Sequence, residues 1–158
     1  MTVEVDAIDR QILSLLLNDG RAPASQIADQ VGLSRPAVAE RIEKLERLGV
    51  IRGTTAVIDA ATLGRGITAF VAARGAKLSE KAWQAFRTLM RSEEVLEVHT
   101  VAGDDCYLLK VRTDSIASLN ALVSKLTSPP VSLATRTTIV MQTHCEKVGG
   151  IVLGEGKP

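Results

Sequence analysis

Residues 23 to 48 read Pro-Ala-Ser-Gln-Ile-Ala-Asp-Gln-Val-Gly-Leu-Ser-Arg-Pro-Ala-Val-Ala-Glu-Arg-Ile-Glu-Lys-Leu-Glu-Arg-Leu, and this stretch decides the fold of the N-terminal half. Ile27, Ala28 and Val31 fall at i, i+1 and i+4, while Val38, Ile42, Leu45 and Leu48 follow at steps of four, three and three, so each run presents one apolar stripe at helical period. Between the runs, Gly32 can take the left-handed conformation that ends a helix. Ser34 offers a hydroxyl to the orphan N–H groups of the next helix, and Pro36 falls in its first turn, where a missing N–H costs nothing. Two short amphipathic helices joined by a tight turn are the pattern of a DNA-binding helix-turn-helix. An αα-hairpin of a small bundle shares the caps and the stripe and is the bland alternative. Under the DNA-binding reading, Ser34, Arg35, Pro36, Ala37, Glu40, Arg41 and Lys44 occupy or flank the face turned to the duplex, with Arg47 and Arg52 beyond them. Arg35 and Arg41 carry the strongest expectation, because a guanidinium forks onto a guanine edge or clamps a phosphate.

The flanking sequence favours DNA binding. Ile8, Ile12, Leu15 and Leu16 predict a first helix starting near Asp6, and Asn18-Asp19-Gly20-Arg21 stops it, completing the three-helix support of a recognition helix. Gly49 to Ile58 has strand composition and is expected to form the wing of a winged helix-turn-helix. From Arg35 to Arg52 five basic residues meet three acidic ones, although residues 1 to 60 as a whole hold seven basic and nine acidic side chains. Glu40 with Lys44 and Glu43 with Arg47 have the i, i+4 spacing of ion pairs on a solvated flank. So modest a basic patch implies limited affinity per half-site and predicts an oligomer that engages several half-sites at once.

Composition bounds the alternatives. The chain has 158 residues, a formal net charge of +1 and 46% hydrophobic residues, ample for packed cores. No apolar run approaches the roughly 20 residues that span a bilayer, and Met-Thr-Val-Glu-Val-Asp lacks the basic and apolar parts of a signal peptide, so the expected location is the cytoplasm, with no membrane partner. Cys106 and Cys145 have no ligand spacing and are expected to be reduced packing residues, with no metal and no cofactor. The sequence lacks HExxH, GxSxG, GxGxxG and P-loop motifs, which argues against an enzyme.

After Ala60-Ala61-Thr62-Leu63-Gly64-Arg65-Gly66, the expected hinge, the pattern changes. Ile67 to Arg74 reads as a strand, and Glu80 to Arg91 as a helix with Trp83, Phe86, Leu89 and Met90 on one face. Val95 to Ala102 and Tyr107 to Arg112 read as strands around Gly103-Asp104-Asp105. Ser115 to Leu126 reads as a helix with Ile116, Leu119, Val123 and Leu126 on one face, and Val131 to Met141 as a last strand after Pro129-Pro130. The order βαββαβ is that of a ferredoxin-like sandwich in an α+β chain. Expected boundaries are residues 1–62 for the DNA-binding domain, 63–145 for the βαββαβ domain and 146–158 for a flexible tail. The sheet face away from the helices is expected to carry apolar residues and to be buried by another subunit's sheet.

The whole pattern resembles the Lrp/AsnC family of transcriptional regulators, the feast/famine regulators, over about residues 5 to 145. The resemblance rests on Ile8-Asp9-Arg10-Gln11-Ile12-Leu13, Asn18-Asp19-Gly20-Arg21, Val31-Gly32-Leu33-Ser34, the run from Arg41 to Ile51, Val101-Ala102-Gly103-Asp104, Tyr107-Leu108-Leu109-Lys110-Val111 and Thr135-Arg136-Thr137. It implies an N-terminal winged helix-turn-helix that binds double-stranded DNA, and a C-terminal domain that forms dimers and often ring-like octamers. It also implies a small effector, usually an amino acid, bound between subunits. Candidate effector residues are Gly103, whose lack of a side chain lets backbone N–H groups approach a carboxylate, Asp104 and Asp105 for an ammonium, and Thr135, Thr137 and Thr138 for hydroxyls. Cys106 stands where the family often has a carboxylate, which predicts weak or unusual amino-acid binding with a preference for apolar side chains. An acidic β-turn without a ligand is the structural alternative for Gly103 to Asp105. A DNA-bridging or wrapping protein without an effector is the functional one.

Overall fold

The computed structural model describes residues 4–146. Among the described residues, 4–57 with Cys145 and Glu146 form one compact unit and Ile58–His144 a second. The division falls a few residues ahead of the expected boundary at 62/63, because Ala60 to Gly64 make a turn closed by bonds within the second unit, including Thr62 Oγ1 to the Asp59 carbonyl at 2.7 Å. Of the expected tail, residues 147–158 lie outside the described residues.

Three helices build the first unit: α1 (Ala7–Asn18), α2 (Ala24–Val31) and α3 (Arg35–Arg47). A reciprocal capping box opens α1, with the Asp9 N–H donating to Asp6 Oδ1 at 2.7 Å and the Asp6 N–H to Asp9 Oδ2 at 3.4 Å. Ile12, Ile27, Ala28 and Val38 are buried where the three helices meet, and Ile8, Leu15, Leu16, Val31, Leu33 and Ile42 pack around them. Leu48, expected on the same stripe, is 43% exposed, because it caps α3 after the last helical turn and no longer follows the helical period. The expected wing is also not seen among the described residues. Residues 52 to 59 contain no paired strand, and Val57 is 74% exposed, since an extended segment becomes a strand only where a neighbour takes its N–H and C=O groups. Among the described residues this unit is therefore a helix-turn-helix with no paired strand.

In the second unit β1 (Ile67–Arg74), α4 (Glu80–Met90), β2 (Val95–Thr100), β3 (Tyr107–Thr113), α5 (Ile116–Thr127) and β4 (Ala134–Ile139) follow the expected order. The sheet order is β2-β3-β1-β4 with every neighbouring pair antiparallel. Ala69, Val71 and Ala73 of β1 and Leu109 and Val111 of β3 face the helices, where they meet Phe86 and Leu89 of α4 and Leu119, Leu122 and Leu126 of α5. The small β1 side chains leave room for Phe86, whose ring lies 4.9 Å from that of Tyr107 and 5.8 Å from that of Trp83. Ile116, expected on the inner stripe of α5, is 56% exposed, and Leu122 takes its place in the core, because the buried arc rotates toward the following turn. Ser79 and Ser115 cap α4 and α5 through their hydroxyls.

Strand alternation puts Thr68, Phe70, Ala72 and Arg74 of β1 on the opposite face. In register beside them lie Leu108, Lys110 and Arg112 of β3 and Ala134, Arg136 and Thr138 of β4. This face is mixed, not broadly apolar as expected: Phe70, Ala72 and Leu108 are flanked by cationic and hydroxyl side chains. Among the described residues no helix is long and apolar enough to cross a membrane.

Candidate recognition helix and effector cleft

The turn before α3 is set by its own residues. Gly32 takes φ 70° and donates its N–H to the Ala28 carbonyl, ending α2. Leu33 returns to the core, its N–H reaching the same carbonyl at 3.1 Å. Ser34 is extended, and its Oγ accepts the Ala37 N–H at 3.4 Å. Ser34, Arg35 and Pro36 are consequently exposed at the N-terminus of α3, where unpaired N–H groups and the helix dipole favour an anion such as a backbone phosphate. Arg35 has no ion-pair partner among the described residues. Glu40, Arg47 and Arg52 are exposed, whereas Ala37, Arg41 and Lys44 are partly buried.

Arg41 is not the free guanidinium that the sequence leads one to expect. Its Nη1 donates to Asp6 Oδ2 and to Asp9 Oδ1, both at 2.7 Å, which ties α3 to the start of α1. Asp9 is fully buried, and Lys44 Nζ lies 3.5 Å from its Oδ2. The hydrogen bonds that Arg41 donates to Asp6 and then Asp9 push its pKa further up, while the Asp9 N–H first and the guanidinium second hold the Asp6 carboxyl below its ordinary value. Lys44 therefore turns toward Asp9, not toward Glu40. The partner of Arg41 was readable in principle: Asp9, Ile12 and Leu16 share a helix face at i, i+3 and i+7, so the carboxylate falls on the buried arc and requires a cation.

A cleft of about 380 Å³ opens in the second unit at the end of the sheet where the β2–β3 loop meets the C-terminus of β1 and the N-terminus of β4. Arg74, Asp104, Asp105, Ala134, Thr135 and Arg136 line it. Gly103 takes φ 128°, a conformation an L side chain resists, and so turns the loop that carries the two aspartates. Arg136 Nη2 donates to Asp105 Oδ2 at 3.1 Å. Of the candidate effector residues, Asp104, Asp105 and Thr135 are brought together. Thr137 lies further along β4, and Thr138 lies on the opposite face from Thr135 and Thr137 by alternation. Cys106 does not line the cleft. Its N–H donates to the Ala73 carbonyl at 2.9 Å and its Sγ lies 3.6 Å from the Gly75 carbonyl, so the thiol is turned onto the end of β1. Arg74, Ala134 and Arg136 are the lining residues that sequence reasoning missed. Only the β1–β4 register, which sets Arg74 opposite Ala134, brings them to the same rim.

Comparison with known proteins bears on both units. The model of the AsnC-type helix-turn-helix domain matches residues 5–46, and that of the Lrp/AsnC ligand binding domain matches residues 68–149. The chain belongs to the Lrp/AsnC family. Among Lrp/AsnC proteins it is 36% identical over 148 residues to the HTH-type transcriptional regulator FL11 of Pyrococcus abyssi, covering 92% of this chain and 95% of that one. It is 35% identical to the leucine-responsive regulatory protein of Escherichia coli, over 88% of this chain and 86% of that one. A feast or famine regulatory protein from M. tuberculosis, solved in complex with L-methionine, superposes with a TM-score of 0.81 at 33% identity, covering 92% of this chain and 97% of that one. The α2–α3 motif is thus that of an Lrp/AsnC transcriptional regulator, and the βαββαβ unit is the ligand-binding domain of that family.

Proposed function

We propose that this chain is a sequence-specific regulator that grips double-stranded DNA through the exposed N-terminal turn of α3, under control of an amino-acid effector held in the cleft between β1, β4 and the β2–β3 loop. The observation that carries this reading is the pairing of an uncommitted Arg35 at the N-terminus of α3 with a charged cleft in the ligand-binding domain. Ser34, Arg35 and Pro36 meet the duplex first, with Ala37, Glu40, Lys44, Arg47 and Arg52 beside them. Arg41 acts through Asp6 and Asp9 by fixing the angle of α3. The complex of the tuberculosis relative with L-methionine supports an amino acid as the effector class. Homodimers assembling to an octamer would set the spacing of the DNA-binding heads, and ligand would act by favouring one assembly over another. No catalytic step is assigned, and the site of action is the cytoplasm.

Footprinting of the chain on its own upstream region tests the reading. A phased operator beside a promoter, altered in extent when an amino acid is added, is the expected result. Indiscriminate coverage that no amino acid changes would make the protein a DNA-bridging or wrapping factor instead.

A further inference from the structure

The charges of the cleft carry more than the class of effector. Of its six lining residues four are ionised, and Ala134 contributes the one purely aliphatic side chain. Arg136 spends one nitrogen on Asp105 and stays 78% exposed, whereas Asp105 is 25% exposed with Oδ2 engaged. Arg74 and Asp104 have no hydrogen-bond or ion-pair partner among the described residues. The cleft therefore presents two guanidinium groups with donors to spare and one uncommitted carboxylate. Against this chain's side of the cleft a leucine or methionine side chain would strip water from one guanidinium without replacing its hydrogen bonds, whereas a second carboxylate would replace them.

Resting on the effector reading above, we propose that the cleft selects an acidic amino acid, with one carboxylate on Arg74, the other on Arg136 and the ammonium on Asp104. Guanidinium and carboxylate match as planar forks, so two such contacts discriminate against ligands with a single carboxylate. A cationic side chain is disfavoured because both arginines face it while the one further carboxylate, Asp105, is already paired. The preference is thus for a charged side chain, opposite to the apolar preference that Cys106 suggested in the sequence, and the reason is that the thiol is turned away onto Gly75.

Calorimetric titration of the full chain with glutamate, aspartate, leucine, methionine and lysine tests the assignment. Glutamate or aspartate should bind at least about tenfold more tightly than the other three, a difference of about 1.4 kcal/mol. Arg74→Ala and Arg136→Ala should divide the effect: one weakens every amino acid by removing the partner of the shared α-carboxylate, and the other leaves leucine unchanged while erasing the acidic preference. Arg74 and Arg136 are exposed at strand ends, and circular dichroism establishes that each variant is folded. Should either unfold, the glutamine variant takes its place. Leucine, methionine or lysine binding as tightly as both acidic ligands, or a preference that survives both substitutions, overturns the proposal while leaving the effector reading intact. The titration is extended to the other fifteen amino acids, and failure of all twenty to bind overturns the effector reading itself, and the proposal with it.

Discussion

Arg41→Ala removes the guanidinium that reaches Asp6 and Asp9 at 2.7 Å from the recognition helix, and leaves the fully buried Asp9 carboxylate with Lys44 at 3.5 Å as its one cation and the Asp6 N–H at 3.4 Å. A buried charge stripped of its partner costs about 3–5 kcal/mol, and because Lys44 remains within reach the Asp9 carboxylate falls near the lower end, about 3 kcal/mol. A unit of this size is stable by roughly 3–8 kcal/mol, so the loss is a large share of the total. The assay can isolate the unit, because the single tryptophan, Trp83, lies in the second one. Urea titration followed by far-UV circular dichroism should show an early transition for the variant, while tryptophan fluorescence keeps its midpoint. Asp9→Asn in the same chain removes the unpaired charge and should recover most of the stability, and DNA binding with it, since Arg41 acts by holding α3 in place. Coincident, unshifted transitions for Arg41→Ala would refute the assignment of Arg41 as an internal tether. Recovered stability without recovered DNA binding would return Arg41 to the DNA surface.

Arg35→Ala, by contrast, should leave both unfolding transitions unchanged and weaken DNA binding, with the slope of log K against log salt falling by about 0.9 for each phosphate that is no longer neutralised, as read by fluorescence anisotropy at several salt concentrations. Phe86→Ala empties the centre of the second core, where the ring is fully buried between Trp83 and Tyr107, and should lower the fluorescence-detected stability by about 3–5 kcal/mol. Because the folded Asp6 carboxyl is held below its ordinary value of 3.8, its contribution to α1 is present at neutral pH and begins to fade as pH falls toward that value. The loss is complete only below the depressed folded pKa, so thermal melts between pH 5 and pH 2 should show a smaller acid sensitivity in Asp6→Asn, which keeps the cap but has no charge to lose.

Periodicity and capping chemistry made the secondary structure legible. The stripes through Ile12, Ile27 and Val38 and the signals at Asp6, Gly32 and Ser34 act within a few residues, and the first three helices lie where those signals put them. The alternation of helices and strands likewise specified the βαββαβ order, because hydrophobic period is a local property of the chain. The resemblance of the motifs at Ile8–Leu13, Val31–Ser34 and Arg41–Ile51 was specific enough to give the family.

Pairing across the chain was decided by the tertiary structure. Local composition made Gly49–Ile58 look like a strand, but a strand exists only where another takes its hydrogen bonds, and none among the described residues does so. Arg41 reads as a DNA contact because it lies on the polar flank of α3; it is an internal tether because α1 brings a buried carboxylate to it across 32 residues of sequence. The cleft follows the same logic. Gly103-Asp104-Asp105 announces a turn by itself, but Arg74 and Arg136 reach its rim only through the antiparallel register of β1 and β4, and the Cys106 thiol is outside the lining, 3.6 Å from the Gly75 carbonyl. Sequence carries what each residue prefers among its near neighbours, whereas charge compensation and ligand geometry depend on which distant residues the fold sets a few ångströms apart.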